Sequence, residues 1–311
     1  MVQENSVRNF AVVICGPTGS GKTKLAVDLA NLLDGEIISA DSIAIYKGLD
    51  IGAAKPTKEE RLLAVHRMID VVDPREEFSV AEYKEMARKY LYDALSRGKT
   101  PIICGGTGYY IDALLYDFSY GNCPKNEAFR NECEEIIATD GIEVLYEKLK
   151  TVDPETAKIV HLNDKMRIVR ALEIYQTTGT KKSDIVDVKK PIIPFLAFSY
   201  DYAREKLYER INVRVDEMFK NGLTEEVTNL LKSGVQPSAQ SMQGIGYKEV
   251  VEGILLNASE EEIKETVKRN TRRYAKRQIT WFKRLDNLTY LEPQETCAEK
   301  VKEYIYERIS N

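Results

Sequence analysis

The segment Gly16-Pro17-Thr18-Gly19-Ser20-Gly21-Lys22-Thr23 fits the spacing GxxxxGKT, between the apolar run Phe10 to Cys15 and a stretch of helical spacing from Lys24 to Leu33. A loop of this kind between strand and helix is built for an anion. Its glycines let successive backbone amides face one phosphate, and the helix N-terminus adds partial positive charge. Lys22 reaches the phosphate oxygens and the Thr23 hydroxyl is placed to ligate Mg2+. A phosphate or pyrophosphate ligand follows, but the loop alone does not say whether the phosphates are transferred, hydrolysed or simply leave.

The surrounding pattern predicts the fold. Apolar runs at Glu36 to Ser39, Met68 to Val72 and Ile102 to Cys104, with a helical stretch from Val80 to Ser96, imply a parallel α/β sheet. From Asn122 to Lys182 the spacing turns helical, in Phe129 to Ala138, Glu143 to Leu149 and Lys165 to Thr178, with no clear strand between. Ile192 to Tyr200 then looks like a buried strand, and the rest is helical, punctuated by Gly222, Gly234, Pro237 and Gly253. The expected architecture is α/β: a P-loop NTPase-like parallel sheet core, residues 1–121 and 183–311, with an inserted helical domain at 122–182.

Composition removes several classes. With 311 residues, 43% apolar and 30% charged, the chain has ordinary globular composition. No apolar stretch approaches the roughly 18 to 20 residues of a spanning helix. The N-terminus shows no secretory signal, so the expected address is cytoplasmic. Cys15, Cys104, Cys123, Cys133 and Cys297 are odd in number and form no CxxC pair, against a disulfide framework or structural zinc site. His66 and His161 have no ligand cluster near them and read as structural. The net charge of −4 excludes a wholly basic binder yet leaves room for a local basic face.

Two further features bear on function. Asp41 ends the second strand and so falls on the same sheet rim as the phosphate loop, where it binds substrate, acts as a base or caps the next turn with Ser42. The strand Pro101 to Cys104 runs into Gly105-Gly106-Thr107-Gly108 without the Mg2+-side acid of motor and switch NTPases. Between Lys264 and Arg284, nine basic residues meet the single acid Glu265. A helical wheel puts them on one half, opposite Ile263, Val267, Tyr274, Gln278, Trp281 and Leu285, a footprint suited to a nucleic-acid backbone.

Together with the phosphate loop, the phrases Ile38-Ser39-Ala40-Asp41-Ser42, Tyr46-Lys47-Gly48-Leu49-Asp50-Ile51-Gly52, Lys55-Pro56, Gly105-Gly106-Thr107-Gly108, Arg170-Ala171-Leu172-Glu173, Gly246-Tyr247-Lys248-Glu249 and Lys276-Arg277-Gln278-Ile279-Thr280-Trp281 span residues from about 10 to 285. In this order they resemble the bacterial tRNA dimethylallyltransferases. The resemblance implies transfer of a dimethylallyl group from dimethylallyl pyrophosphate to the exocyclic N6 amine of the adenosine 3' of the anticodon, position 37. Pyrophosphate is released, and Mg2+ is the implied cofactor.

By the same resemblance, Gly16, Pro17, Thr18, Gly19, Ser20, Gly21, Lys22 and Thr23 hold the pyrophosphate, with Thr23 on the metal. Asp41 accepts the amine's proton, Thr18 lies beside the reacting atoms, and Arg214 stabilises the leaving group. The tRNA contacts implied are Asp41, Ser42, Ile43, Ala44, Thr107, Arg130, Met166, Arg167, Ile168, Val169, Arg170, Gln243, Gly244, Ile245, Gly246, Tyr247, Lys248, Lys276, Arg277, Gln278 and Trp281. Ala44 and Gly244 stand where relatives usually carry Gln and Ala. The implied partners are the anticodon stem-loop and the prenyl donor, with no membrane, and the chain acting as a monomer. Two rivals remain: a P-loop small-molecule kinase using ATP, and a non-catalytic or NTP-switched RNA-binding protein that would need the basic stripe but not Asp41.

Overall fold

Five consecutive apolar residues, Ala11–Cys15, form β1, and all five are buried. A run without polar alternation suits a strand covered on both faces. In the computed structural model, which describes residues 9–118, 123–186, 188–293 and 298–310, β1 lies inside a six-stranded parallel sheet. Cys297 and the expected boundary at residue 122 lie outside the described residues. The other strands are β2 (Gly35–Ser39), β3 (His66–Arg67), β4 (Thr100–Gly105), β5 (Phe195–Tyr200) and β6 (Leu288–Leu291). Their order is β3-β2-β4-β1-β5-β6, with Val13 aligned to Ile103 on one side and Ala197 on the other.

The first helices are α1 (Lys22–Leu32), α2 (Lys58–Leu63), α3 (Val80–Ser96) and α4 (Gly108–Leu115). A helical stretch follows, with α5 (Glu127–Asp140), α6 (Ile142–Val152), α7 (Pro154–Ile159) and α8 (Lys165–Thr178). The chain ends with α9 (Arg204–Lys220), α10 (Leu223–Lys232), α11 (Tyr247–Leu255), α12 (Glu260–Phe282) and α13 (Ala298–Ser310). Reciprocal capping boxes, Ser79 with Glu82 and Ser259 with Glu262, start α3 and α12 by satisfying amides that have no partner within the helix.

Two strand assignments change. Met68 to Val72 is not a strand: β3 stops at Arg67, Met68 and Asp70 have φ of 62° and 58°, and Val72 makes one parallel bridge to Tyr46. The apolar letters there fill a turn. β6 falls where the spacing predicts a helical tail, but its four residues pair with β5 from Ala197↔Leu288 to Tyr200↔Leu291. A short edge strand, mostly half-exposed, leaves little periodic signal. β5 starts at Phe195, and the Pro194 carbonyl before it accepts the Ala11 amide at 2.9 Å.

The chain forms two compact units, Met1–Leu115 with Pro191–Asn311, and Tyr116–Lys190. The first unit closes on itself, since the Ile192 amide donates to the Leu115 carbonyl at 2.9 Å. The second has its own core of Phe129, Cys133, Leu145, Leu149, Ile168 and Leu172. Within it Glu173 is fully buried and accepts from Arg130 at 2.7 and 2.9 Å, Arg170 at 2.6 Å and the Asn126 amide at 2.8 Å. Burial works to raise this carboxyl's pKa, but the bonds from Arg130, Asn126 and Arg170 outweigh it and hold it at about 2, below its ordinary 4.5.

Because the folded value is the lower one, Glu173 stabilises fully above its ordinary value and loses that contribution as pH falls toward the folded one. Glu173→Ala should destabilise the helical unit by about 2 to 3 kcal/mol, because the buried carboxylate's bonds to two partly exposed guanidiniums and to the Asn126 amide are lost together. Hydrogen exchange of the α5 and α8 amides, at neutral pH and then on acidification, checks both statements. Unchanged protection in the variant would remove Glu173 as the centre of this unit.

Candidate active site

The loops after β1, β2 and β4 emerge at one rim of the sheet, the carboxyl edge where ligands of open α/β sheets sit. Gly21, the N-cap of α1, has φ of 89°, a conformation glycine adopts without strain. Gly19 packs against Ile211 of α9 so closely that a Cβ there would lie 3.3 Å from it. Lys22 Nζ donates to the Pro17 carbonyl at 3.3 Å. Burial lowers the Lys22 pKa, with Arg214 adding to the shift and Asp41 opposing it. An ammonium so placed gains from an incoming anion.

Asp41 follows β2, and of its expected uses the structure displays the turn cap. Its Oδ1 accepts from the Ile43 and Ala44 amides at 2.9 and 3.2 Å, which fixes the turn; both bonds fall on one oxygen. The glycine loop after β4 is stitched to the same place: the Thr107 amide donates to the Ala40 carbonyl at 3.0 Å, and the Ser42 amide to Thr107 Oγ1 at 3.1 Å.

α9 lays Arg210 and Arg214, four residues apart and so on one face, along the phosphate loop. Arg210 Nε donates to the Gly19 carbonyl at 2.8 Å. Arg214 Nε is buried without a hydrogen-bond partner. Burial depresses the Arg214 pKa while Asp41 and Glu217 oppose it.

α12 closes the other side. Gln278 Oε1 accepts from the Thr18 amide at 3.0 Å and its Nε2 donates to the Gly106 carbonyl at 2.9 Å. Tyr274, one turn earlier, has its phenol pushed up to about 12 by burial and by Asp41.

These parts enclose two cavities. The larger, about 400 Å³, is lined by Thr18, Asp41, Ser42, Ile43, Tyr274 and Arg277 among others. The smaller, about 60 Å³, includes Thr23, Ala44, Lys55, His66 and Cys104. Both share Lys22, Asp41, Ala53 and Arg214 as wall, so the ammonium, carboxylate and guanidinium stand at the junction.

The implied RNA contacts divide. Asp41, Ser42, Ile43, Gln243, Gly244, Ile245, Gly246, Arg277 and Gln278 line the larger cavity. Lys248, Lys276 and Arg277 are exposed, and Trp281, half-buried, meets Tyr109 edge-on at 6.2 Å. A Cβ on Gly244 would come 2.6 Å from Ile43 Cδ1, so Ile43 occupies that space. In the helical unit Met166 and Arg167 are exposed, while Arg130 and Arg170 spend hydrogen bonds on Glu173.

Five of the implied contacts have buried side chains. Ile168 and Val169 belong to the core of the helical unit. Tyr247 is fully buried, and its hydroxyl donates to Glu226 Oε1 at 2.6 Å and accepts from the Ala53 amide at 3.2 Å. Gln278 is buried between loops, and Ala44 faces the smaller cavity at 4% exposure. His161 is exposed, whereas His66 lines the smaller cavity with Nε2 buried and unpartnered, a place its solitary letter did not announce.

Sequence patterns missed three positioning groups. Arg210 and Tyr274 sit one helical turn from residues already singled out, and that spacing was the available signal. Glu226 had none: from α10 it accepts the Asp50, Ile51 and Gly52 amides at 3.0, 2.8 and 3.3 Å, pinning a segment far away in sequence.

The basic stripe is shorter than the wheel implies. Lys264 pairs with Glu261, Lys268 with Asp216 and Glu265, and Arg272 donates to Asn212 at 2.7 Å. The exposed cations begin at Arg269 and continue through Arg273, Lys276 and Arg277.

Comparison with known proteins fits this site. The IPP transferase family model matches residues 44–285, and the isopentenyl transferase model residues 10–75. A tRNA dimethylallyltransferase of Caldanaerobacter subterraneus subsp. tengcongensis is 47% identical over 96% of this chain and 97% of its own. One from Bacillus cereus is 44% identical over 96% and 94%. Among solved structures, the tRNA isopentenylpyrophosphate transferase of Bacillus halodurans superposes with a TM-score of 0.70 at 38% identity, covering 97% of this chain and 96% of that one. A eukaryotic dimethylallyltransferase acting on tRNA gives a TM-score of 0.83 at 28% identity over 97% and 80%. With phosphate loop, rim carboxylate and family model in agreement along the chain, this protein belongs to the IPP transferase family.

Proposed function

We propose that this enzyme transfers the dimethylallyl group of dimethylallyl pyrophosphate to the exocyclic N6 amine of the adenosine 3' of the anticodon, position 37, in tRNA. The observation that carries this is the junction of the two cavities, where Lys22, Arg214 and Asp41 share one wall. The adenine leaves its stack to enter the larger cavity, under Tyr274 and Arg277. The N6 lone pair attacks the allylic carbon, the carbon–oxygen bond to pyrophosphate breaks with its electron pair going to the leaving group, and the amine's proton passes to Asp41. Oδ1 of Asp41 is engaged by two amides, so its second oxygen serves the amine. Lys22, the loop amides and Arg214 stabilise charge that grows on the pyrophosphate.

Among the described residues no three His, Cys, Asp or Glu side chains gather to hold a metal. A single hydroxyl beside a phosphate site is nevertheless what Mg2+ uses when substrate oxygens and water complete its shell. Thr23, at the wall of the smaller cavity, would hold it, and the ion would supply further charge neutralisation on the pyrophosphate. The exposed cations of α12, with Met166 and Arg167 of the helical unit, are the proposed RNA-facing residues. The kinase alternative draws no support from these relatives. No described helix is long and apolar enough to cross a membrane. We place the enzyme in the cytoplasm as a monomer.

The test is direct. Purified protein, Mg2+, labelled dimethylallyl pyrophosphate and an unmodified tRNA with adenosine at position 37 should yield labelled RNA, and the adenosine-to-guanosine transcript none. Label on both transcripts, or on neither, would contradict the assignment. Arg273→Ala with Arg277→Ala should weaken tRNA binding and make log Kd less steep against log salt by about two phosphate contacts. An unchanged slope would take this part of α12 out of the interface.

A further inference from the structure

Gln278 belongs to the helix that carries the exposed cations, yet it is 5% exposed and reaches the other way. It bridges two loops that follow different strands, the phosphate loop after β1 through the Thr18 amide and the glycine loop after β4 through the Gly106 carbonyl. The fit is tight. A Cβ on Gly106 would lie 2.3 Å from Gln278 Nε2, and one on Gly108 would lie 2.1 Å from Trp281 Cδ1. The second glycine loop is therefore bare where α12 presses on it, and backbone carbonyl and side-chain amide meet without a spacer.

We propose that Gln278 is a positioning residue for the donor pyrophosphate. It fixes Thr18 and Gly106 relative to each other and so sets the shape of the loop that receives the phosphates, instead of contacting RNA as the family pattern implies for this segment. The chemistry requires an amide: one acceptor and one donor from a single side chain, a pair that neither a carboxylate nor an ammonium offers. Removing it strands the buried Gly106 carbonyl together with the N–H of half-buried Thr18, which costs more than losing a surface hydrogen bond. Arg210 holds Gly19 from α9, so the phosphate loop is tied at two points to helices far along the chain.

This inference rests on the prenyl-transfer proposal, and the wild-type enzyme is the control for that proposal. The experiment compares wild type, Gln278→Met and Gly106→Ala in steady-state transfer from dimethylallyl pyrophosphate to tRNA, with tRNA Kd measured separately by filter binding without donor. Gln278→Met keeps volume and removes both bonds; Gly106→Ala keeps the glutamine and pushes its amide away. Both should raise the donor KM about tenfold and lower kcat, with tRNA Kd moving less than about twofold. A tenfold weaker tRNA Kd with donor KM unchanged would overturn the proposal and return Gln278 to the RNA interface. A fall in kcat alone, with donor KM and tRNA Kd both unmoved, would also overturn it, since that is the mark of lost folded enzyme. Should Gln278→Met fail to fold by circular dichroism, Gly106→Ala decides. Absence of transfer by the wild type would strike the prenyl-transfer proposal itself.

Discussion

Asp41→Asn should lower the turnover of prenyl transfer by about two to four orders of magnitude, with tRNA Kd within about twofold of wild type. Asparagine is the informative substitution because it separates the turn cap that Asp41 makes from the base role proposed for it. Its Oδ1 holds the Ile43 and Ala44 amides, and an asparagine oxygen can accept the same two bonds. What asparagine cannot do is take a proton from the adenine amine or lend negative charge to it as the carbon–nitrogen bond forms. Asp41→Ala removes base and turn together, loosening Ser42 and Ile43 at the larger cavity and Ala44 at the smaller one, and so confounding chemistry with shape. Single-turnover transfer from labelled donor at saturating tRNA isolates the chemical step. Turnover within tenfold of wild type for Asp41→Asn would mean that the proton leaves by another route.

Arg214→Gln should cost about a hundred- to a thousandfold in kcat, the size seen when a charge-stabilising group is lost from a dry site. Its Nε is buried and unpartnered, and burial already depresses its pKa, so the guanidinium is held at some expense in a place where an anion would complete its bonding. Asp41 partly compensates the charge from the other side of the junction. Lysine should restore little, because a point charge on a flexible stem does not reproduce a planar fork. The measurement is kcat at saturating donor, together with the inhibition constant of inorganic pyrophosphate. Weaker pyrophosphate inhibition together with the lower kcat marks a residue on the leaving group. Unaltered pyrophosphate inhibition would place Arg214 elsewhere.

Why the phosphate loop and Asp41 were legible in the letters, and Gln278 and Glu226 were not, has a physical reason. A loop that presents amides to a phosphate is a local object: the glycines, Lys22 and Thr23 are consecutive, and the strand and helix flanking them are written beside them. Asp41 is local in the same sense, two residues past the end of β2. Gln278 meets Thr18 across 260 positions and Glu226 meets Gly52 across 174, and no periodicity reports such a meeting. The resemblance implies Gln278 and Tyr247 as RNA contacts together with the exposed Arg277 and Lys248, but on a helix the next residue points about 100° away. The turn at Met68 to Asp70 misleads for the opposite reason: Met68 is buried as a strand residue would be, while the backbone enters the left-handed region at Met68 and Asp70. The basic stripe is legible on a helical wheel, and only the positions of Glu261, Asp216 and Asn212 reveal which of its cations are already engaged.

The hydrogen bond from the Ile192 amide to the Leu115 carbonyl has a meaning for the history and handling of this chain. It joins the points where the polypeptide leaves the sheet-bearing unit and returns to it, so that unit experiences everything in Tyr116–Lys190 as one excursion with its ends already tied. The entropy of closing such an excursion grows only with the logarithm of its length. The sheet-bearing unit should accordingly tolerate a longer or shorter detour at small entropic cost, with the arrangement of Lys22, Asp41 and Arg214 unaltered.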